Sequence, residues 1–118
     1  MSMEIDQIAE AFCSHQFAVA YPYMADEIQW HIVGRERLIG REAVIDQCER
    51  AAKYLKTVST SITKLKSIRT KTCAVVEGAA EFRNGEILTS SVASCDVFQF
   101  SDGRMIEITS YIVELNKP

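Results

Sequence analysis

The chain has little that would brace it covalently or hold it in a membrane. Its four cysteines, Cys13, Cys48, Cys73 and Cys95, lie far apart and contain no Cys-x-x-Cys pair, so neither a redox dithiol nor a zinc ribbon is spelled out. No apolar signal-peptide run follows the acidic start MSMEIDQ, and the thiols are expected to be reduced in the cytoplasm. Cys48 and Cys95 fall within apolar patterns, where a thiol packs as a small hydrophobe. Ligation of a metal with His15 or His31 is the less favoured reading, and no metal or other cofactor is expected. No apolar stretch approaches the ~20 residues of a membrane span. Glycines number five and prolines two, and no repeat, linker or low-complexity segment interrupts the chain.

An excess of positive charge is also missing. The formal net charge is −3, a field that repels phosphate and anionic lipid, so nucleic acid and membrane surfaces are not expected partners. The cluster Lys64, Lys66, Arg69 and Lys71 has no interleaved aromatics on which bases would stack. Lys64 and Lys66 flank Leu65 as a solvated strand face would. There is no phosphate-cradling glycine loop, no Ser-His-Asp arrangement and no metal-spaced cluster.

What is present suffices for one domain, residues 1–118, of which 47% are hydrophobic. Ser2 is placed to cap a first helix in which Ile5, Ile8, Ala9 and Phe12 recur as one buried stripe. Phe17, Tyr21 and Met24 continue a helical spacing, but Pro22 has no amide hydrogen, so a second helix must be short or bent. In DEIQWHIV, Ile28, Trp30 and Ile32 alternate with Gln29 and His31, which predicts a strand with Trp30 pointing inward. GRERLIG, 34–40, reads as a polar loop between two glycines. A third helix follows, with Ile45, Cys48, Ala52 and Leu55 on one side. From about residue 57 Thr, Ser, Val and Ile dominate, and four antiparallel strands are expected, separated by turns that include RNGE and SDGR.

This order predicts an α+β domain with helices on one face of a curved sheet. In MIEITSYIVEL both faces become apolar toward the strand's end: Ile106, Ile108, Ser110 and Ile112 share one side, and Tyr111, Val113 and Leu115 the other. A sheet apolar on both faces calls for a partner, and a homodimer through the face that the helices leave open is expected.

The stretches ADEIQW, LIGREAVI and DVFQFSDGRMIEITSY resemble the nuclear transport factor 2-like (NTF2-like) superfamily and, within it, the SnoaL-like group of polyketide cyclase and ketosteroid isomerase-like proteins. The resemblance spans nearly the whole chain in element order, through short and degenerate motifs. It implies a cone-shaped α+β barrel, three N-terminal helices packed on a curved, mainly antiparallel sheet, with one apolar cavity per subunit. It also implies a role for Asp96. In ketosteroid isomerases an acid followed by x-Phe-x-Phe serves as a protonated donor to the substrate's oxyanion, and Asp96-Val97-Phe98-Gln99-Phe100 matches that stretch. The isomerase's base has no carboxylate counterpart in QWHIVG, which offers His31, and its tyrosine donor falls on Ile8.

The residues admit that role and a plainer one. Asp96 shares strand parity with Phe98 and Phe100 and so is expected to face the cavity, where desolvation would keep its carboxyl neutral; the alternative is a hydrogen-bonding residue at a strand bend. Histidine is a residue type suited to act as a base near neutral pH, which makes His31 a candidate, but alternation turns it away from Trp30, as for a surface or interface histidine. Phe12, Trp30, Phe98 and Phe100 are expected to line a cavity for a small hydrophobic or aromatic molecule, with simple packing as the alternative. Tyr21 and Tyr23 are candidates to orient a ligand at its mouth. Three functional classes follow: a cyclase, isomerase or dehydratase using Asp96 and His31; a non-catalytic ligand-binding or accessory protein; and a protein-interaction module.

Overall fold

The computed structural model describes residues 3–115. Helix α1 (Ile5–Cys13), a single turn α2 (Phe17–Ala20) and a 3-10 turn (Tyr21–Tyr23) precede strand β1 (Met24–Ile32). β2 (Glu36–Ile39), α3 (Arg41–Leu55), β3 (Ser59–Arg69), β4 (Cys73–Asn84), β5 (Ile87–Ser101) and β6 (Arg104–Glu114) follow. Six strands form one open sheet in the order β2-β1-β6-β5-β4-β3. β1 and β6 run parallel and every other neighbouring pair is antiparallel. The three helices lie on one face, as the sequence pattern requires.

Most elements form for the reasons legible in the sequence. The α1 stripe Ile5, Ile8, Ala9 and Phe12 is buried. Its expected cap, Ser2, lies outside the described residues; at the described start, the Glu4 N–H donates to Gln7 Oε1 at 3.0 Å. Pro22 sits in the 3-10 turn, where its fixed φ is tolerated and its missing N–H costs nothing. In α3 Val44 and Cys48 are buried, with Ile45, Ala52 and Leu55 packed against the core beside them.

Two details differ from expectation. Residues 36–39, predicted as loop, form β2, pairing Leu38 with Trp30 and Ile39 with Gln29. Gly34 and Gly40, at φ +81 and +97, supply the left-handed corners that let so short a strand fold back on β1. In β6 the register slips opposite Gln99 and Phe100. A bulge of this kind reverses side-chain parity, so Met105 is buried and Ile106 is exposed. Beyond it Ile108 and Ser110 share the inward side. Among the described residues no helix is long and apolar enough to cross a membrane, and the four cysteines are unpaired.

Candidate functional site

On the helix-covered face of β5, Asp96 is 8% exposed. Its cross-strand partners are Val76 on β4 and Ser110 on β6. Register therefore aims a hydroxyl at the carboxyl: Ser110 Oγ donates to Asp96 Oδ1 and itself accepts from Trp30 Nε1 at 2.9 Å. The Cys13 thiol, from the last turn of α1, donates to Oδ2 at 3.5 Å, and Ser94, two residues back on β5, adds a third hydrogen bond. Every one of these donors is neutral, and among the described residues no ion pair reaches Asp96.

Burial decides the electrostatics. Desolvation raises the Asp96 carboxyl above its ordinary value, and the hydrogen bonds from Ser110, Cys13 and Ser94 pull the other way without cancelling it. Burial, and then the neighbouring Asp96 charge, lifts the Cys13 thiol far above the usual thiol range, so Cys13 is a hydrogen-bond donor and not a nucleophile. A carboxyl that burial makes harder to ionise, fixed by donors on several sides, has one hydrogen to give whenever it is protonated, which is the chemistry an oxyanion donor needs.

The aromatic residues expected to line a cavity are all buried, but they fill space together. Phe12 meets Trp30, Phe98 and Phe17 edge to face at centroid distances of 5.2, 5.6 and 5.4 Å, and Phe100 is buried in the same core. The hollow lies on the other side of Asp96's partners. It measures about 50 Å³ and is walled by Cys13, His15, Ile62, Phe82, Ser94 and, through its missing side chain, Gly78. That is room for one or two waters at ~30 Å³ each, well short of the ~300 Å³ at which ligand pockets begin.

His31 is not brought to Asp96. It faces the opposite side of the sheet, as alternation predicts, with Arg37 Nη2 3.3 Å from its Nδ1. Tyr21 and Tyr23 have other partners: Tyr21 donates to Glu49 Oε2 at 2.6 Å, and Tyr23 Oη accepts from the Met3 N–H at 3.2 Å. The residues that sequence reasoning missed are Ser110, Ser94, Cys13 and His15. Ser94 and Ser110 carried a signal, since they share the inward parity of Asp96 and Ile108 respectively; Cys13 follows Ala9 by one helical turn; the position of His15 depends on how α1 ends. Among the described residues no group of three or more His, Cys, Asp or Glu side chains converges as a metal site would.

No family model and no curated protein matches the chain by sequence. Solved structures do. An NTF2-like protein of unknown function from Cytophaga hutchinsonii is 28% identical over 91% of this chain and 94% of its own, with a TM-score of 0.78. An LEH-like epoxide hydrolase from M. tuberculosis is 18% identical, covering 92% of this chain and 81% of its own, at 0.67. A protein proposed to be a polyketide cyclase from Xanthomonas campestris pv. campestris is 16% identical over 88% and 83%, also at 0.67. At the lower identities the likeness carries the fold, and function must be argued from the site.

Proposed function

The chain belongs by fold to the NTF2-like superfamily, and we propose that it is a small-molecule enzyme of the cyclase, isomerase or dehydratase kind. Its substrate is a small, mostly apolar carbonyl compound. Asp96 is the acid: its neutral carboxyl donates a hydrogen bond to the carbonyl oxygen as negative charge builds there. The observation that carries this reading is a buried carboxyl surrounded by neutral donors, with no cation to hold it ionised. Such a group is costly to keep in a core and is useful where a proton must be held at neutral pH. Enzymes and proposed enzymes among the fold neighbours agree with the general class. The test is a panel of small cyclic and aromatic ketones assayed for exchange of the hydrogens next to the carbonyl. Exchange by the native protein that Asp96→Asn removes without lowering the melting temperature supports the role; exchange equal in both proteins excludes it.

One observation favours a second reading, capture without conversion. Apart from Cys13, the partners of Asp96 do not titrate, so among the described residues no base adjoins it, and His31, the candidate from sequence, is on the other face. A ligand recovered unchanged after incubation with the native protein would support this alternative.

The open sheet face supports a homodimer. Ile68, Val75, Ala79, Ala93, Tyr111 and Val113 border a groove of about 650 Å³ there, with Val113 and Ile68 57% and 64% exposed. Lys64 and Glu77, 3.2 Å apart on the same face, give it charges of both signs, which a two-fold contact can satisfy reciprocally. Sedimentation at micromolar concentration is expected to show two copies. Four unpaired thiols suit a reducing, cytoplasmic setting.

A further inference from the structure

His15 occupies a position that backbone chemistry reserves for glycine. Its φ is +70, and it closes α1 with the paired bonds of a Schellman turn: its own N–H donates to the Phe12 carbonyl at 3.2 Å, and the Gln16 N–H to the Ala11 carbonyl at 2.8 Å. A side chain in this left-handed conformation is strained. Strain of this kind points to a use for the side chain. The imidazole lies between Phe17 and Phe82, at centroid distances of 5.8 and 6.1 Å. None of the hydrogen bonds among the described residues engages its ring nitrogens. Burial lowers its pKa below the ordinary value, so the ring is neutral at neutral pH and retains one accepting nitrogen.

Two spaces meet at this ring. On one side is the inner hollow of about 50 Å³, which ends on Cys13 and Ser94, both hydrogen-bonded to Asp96. On the other is an outer recess of about 510 Å³ between the end of α3 and the start of β3, lined by Ser14, Ala52, Leu55, Lys56 and Thr60. His15 and Ile62 border both. Ile62 lies on the edge strand β3, next to a register irregularity and 40% exposed. The far half of β3 is tied to α1, with Arg69 3.3 and 3.2 Å from Glu4 and Asp6 and Ser67 donating to Glu10. No such tie to a helix is found at residues 59–62 among the described residues.

We infer that His15 and Ile62 form a gate between the recess and the hollow, and that by displacing them a ligand reaches Cys13 and Ser94, the hydrogen-bond partners that stand before Asp96. The inference rests on the reading of Asp96 as the ligand-facing acid. With the gate open, recess and hollow form one space in the range of small-molecule sites, about 300 to 1,000 Å³. The ligand that fits is a mostly apolar molecule with a carbonyl that meets Ser94 at the floor and, once that hydroxyl turns aside, Asp96 behind it, and with a hydrogen-bond donor for the His15 ring at the mouth. Closed, the same side chains exclude water from the acid, which explains why a ligand-facing carboxyl is so nearly sealed.

Cys13 reports on the gate because it lines the hollow behind it, and because water admitted through an open gate relieves the burial that keeps its thiol protonated and unreactive. Alkylation by iodoacetamide, read at each cysteine by peptide mass spectrometry, is expected to be slow at Cys13 in the native protein. Ile62→Ala, which trims a half-exposed side chain, and His15→Gly, which suits the backbone, are each expected to speed it about tenfold by populating the open form, with Cys73 and Cys95 unchanged. Unchanged Cys13 rates in both variants overturn the gate, and so does a parallel rise at all four cysteines, which marks general loosening. Acetophenone, followed through the amide resonances of Gly78, Ser94 and Asp96, separates the gate from the reading beneath it. If Ile62→Ala exposes Cys13 and acetophenone moves those amides more strongly than in the native protein, both stand. If Cys13 is exposed and the ketone leaves those amides unmoved, the gate survives and the carbonyl reading of Asp96 fails.

Discussion

Replacing Asp96 by asparagine tests the central electrostatic claim without any substrate. The carboxyl titrates at an ordinary value of 3.8 when solvated and higher when folded, because burial outweighs its hydrogen bonds from Ser110, Cys13 and Ser94. A group whose native value is raised binds its proton more tightly in the folded state. Its favourable contribution is therefore complete below pH 3.8, declines as the pH rises through the native value, and is constant above it. Within that window each pH unit costs about 1.4 kcal/mol. The entropy of unfolding for 118 residues is about 250 cal/mol/K near 60 °C, so the loss amounts to about 5 °C in melting temperature per pH unit.

Asparagine keeps the shape, accepts from Ser110 or Cys13, and does not titrate. The difference in melting temperature, Asp96→Asn minus native, should therefore climb by about 5 °C per pH unit from pH 4 and then level off at the native carboxyl's pKa. Differential scanning calorimetry from pH 4 to 8.5 measures it. That range stops short of the titration of Cys48, which burial pushes up to about 12. His15 is common to both proteins and cancels in the difference. Parallel curves, with a constant offset at all pH values, would refute the claim that Asp96 is held in its neutral form by burial.

Four other outcomes are expected. Ser110→Ala strands both the Trp30 indole N–H and an Asp96 oxygen, and should cost about 1–3 kcal/mol in denaturant melts; in a double-mutant cycle its coupling to Asp96→Asn should exceed about 0.5 kcal/mol. Gly78→Ala should stabilise by about 0.5–1 kcal/mol, because the added Cβ would meet Ser94 Oγ and the Lys64 carbonyl at ordinary contacts of 3.5 Å, while the new methyl narrows the hollow and weakens acetophenone binding in an NMR titration. Tyr111→Glu on the open sheet face should turn the sedimenting species from dimer to monomer with little change in circular dichroism. The lowered pKa of His15 means that stability is present above the unfolded value of 6.5 and is lost as the pH falls through the native one; His15→Gly should flatten that acid limb in urea melts between pH 7 and 5.

How much of this was legible in the sequence varies with the range of the interaction involved. Helix α1, the inward face of β1 and the inward turn of Asp96 follow from local periodicity, and the structure reproduces them. β2 was invisible because a four-residue edge strand with only Leu38 half-buried has too few positions to show a period, and only its pairing with β1 defines it. The parity slip at Ile106 is equally non-local, since a bulge is set by the partner strand. The filled aromatic cone belongs to the same class: a stripe of Phe12, Trp30, Phe98 and Phe100 reads identically whether the rings surround a space or occupy it, and only edge-to-face distances distinguish the two.

The same distinction explains why the acid and the hollow sit where they do. Large rings fill the core next to Asp96 and Trp30, while Gly78, Ala80 and Ser94 leave the space beyond the acid's partners underfilled. Small residues on β4 and β5 are poor choices for stability, because a glycine within a strand weakens it and a void forfeits packing. A strained histidine at the end of α1 costs more still. Three locally unfavourable choices, Gly78, His15 and a buried carboxylic acid, converge on one end of one core. Core packing alone would remove each of them independently, with a longer side chain, a glycine and an apolar residue respectively. Gly78 and His15 border the same 50 Å³ of space, and the acid lies one hydrogen bond behind it, an arrangement expected of a site rather than of a scaffold.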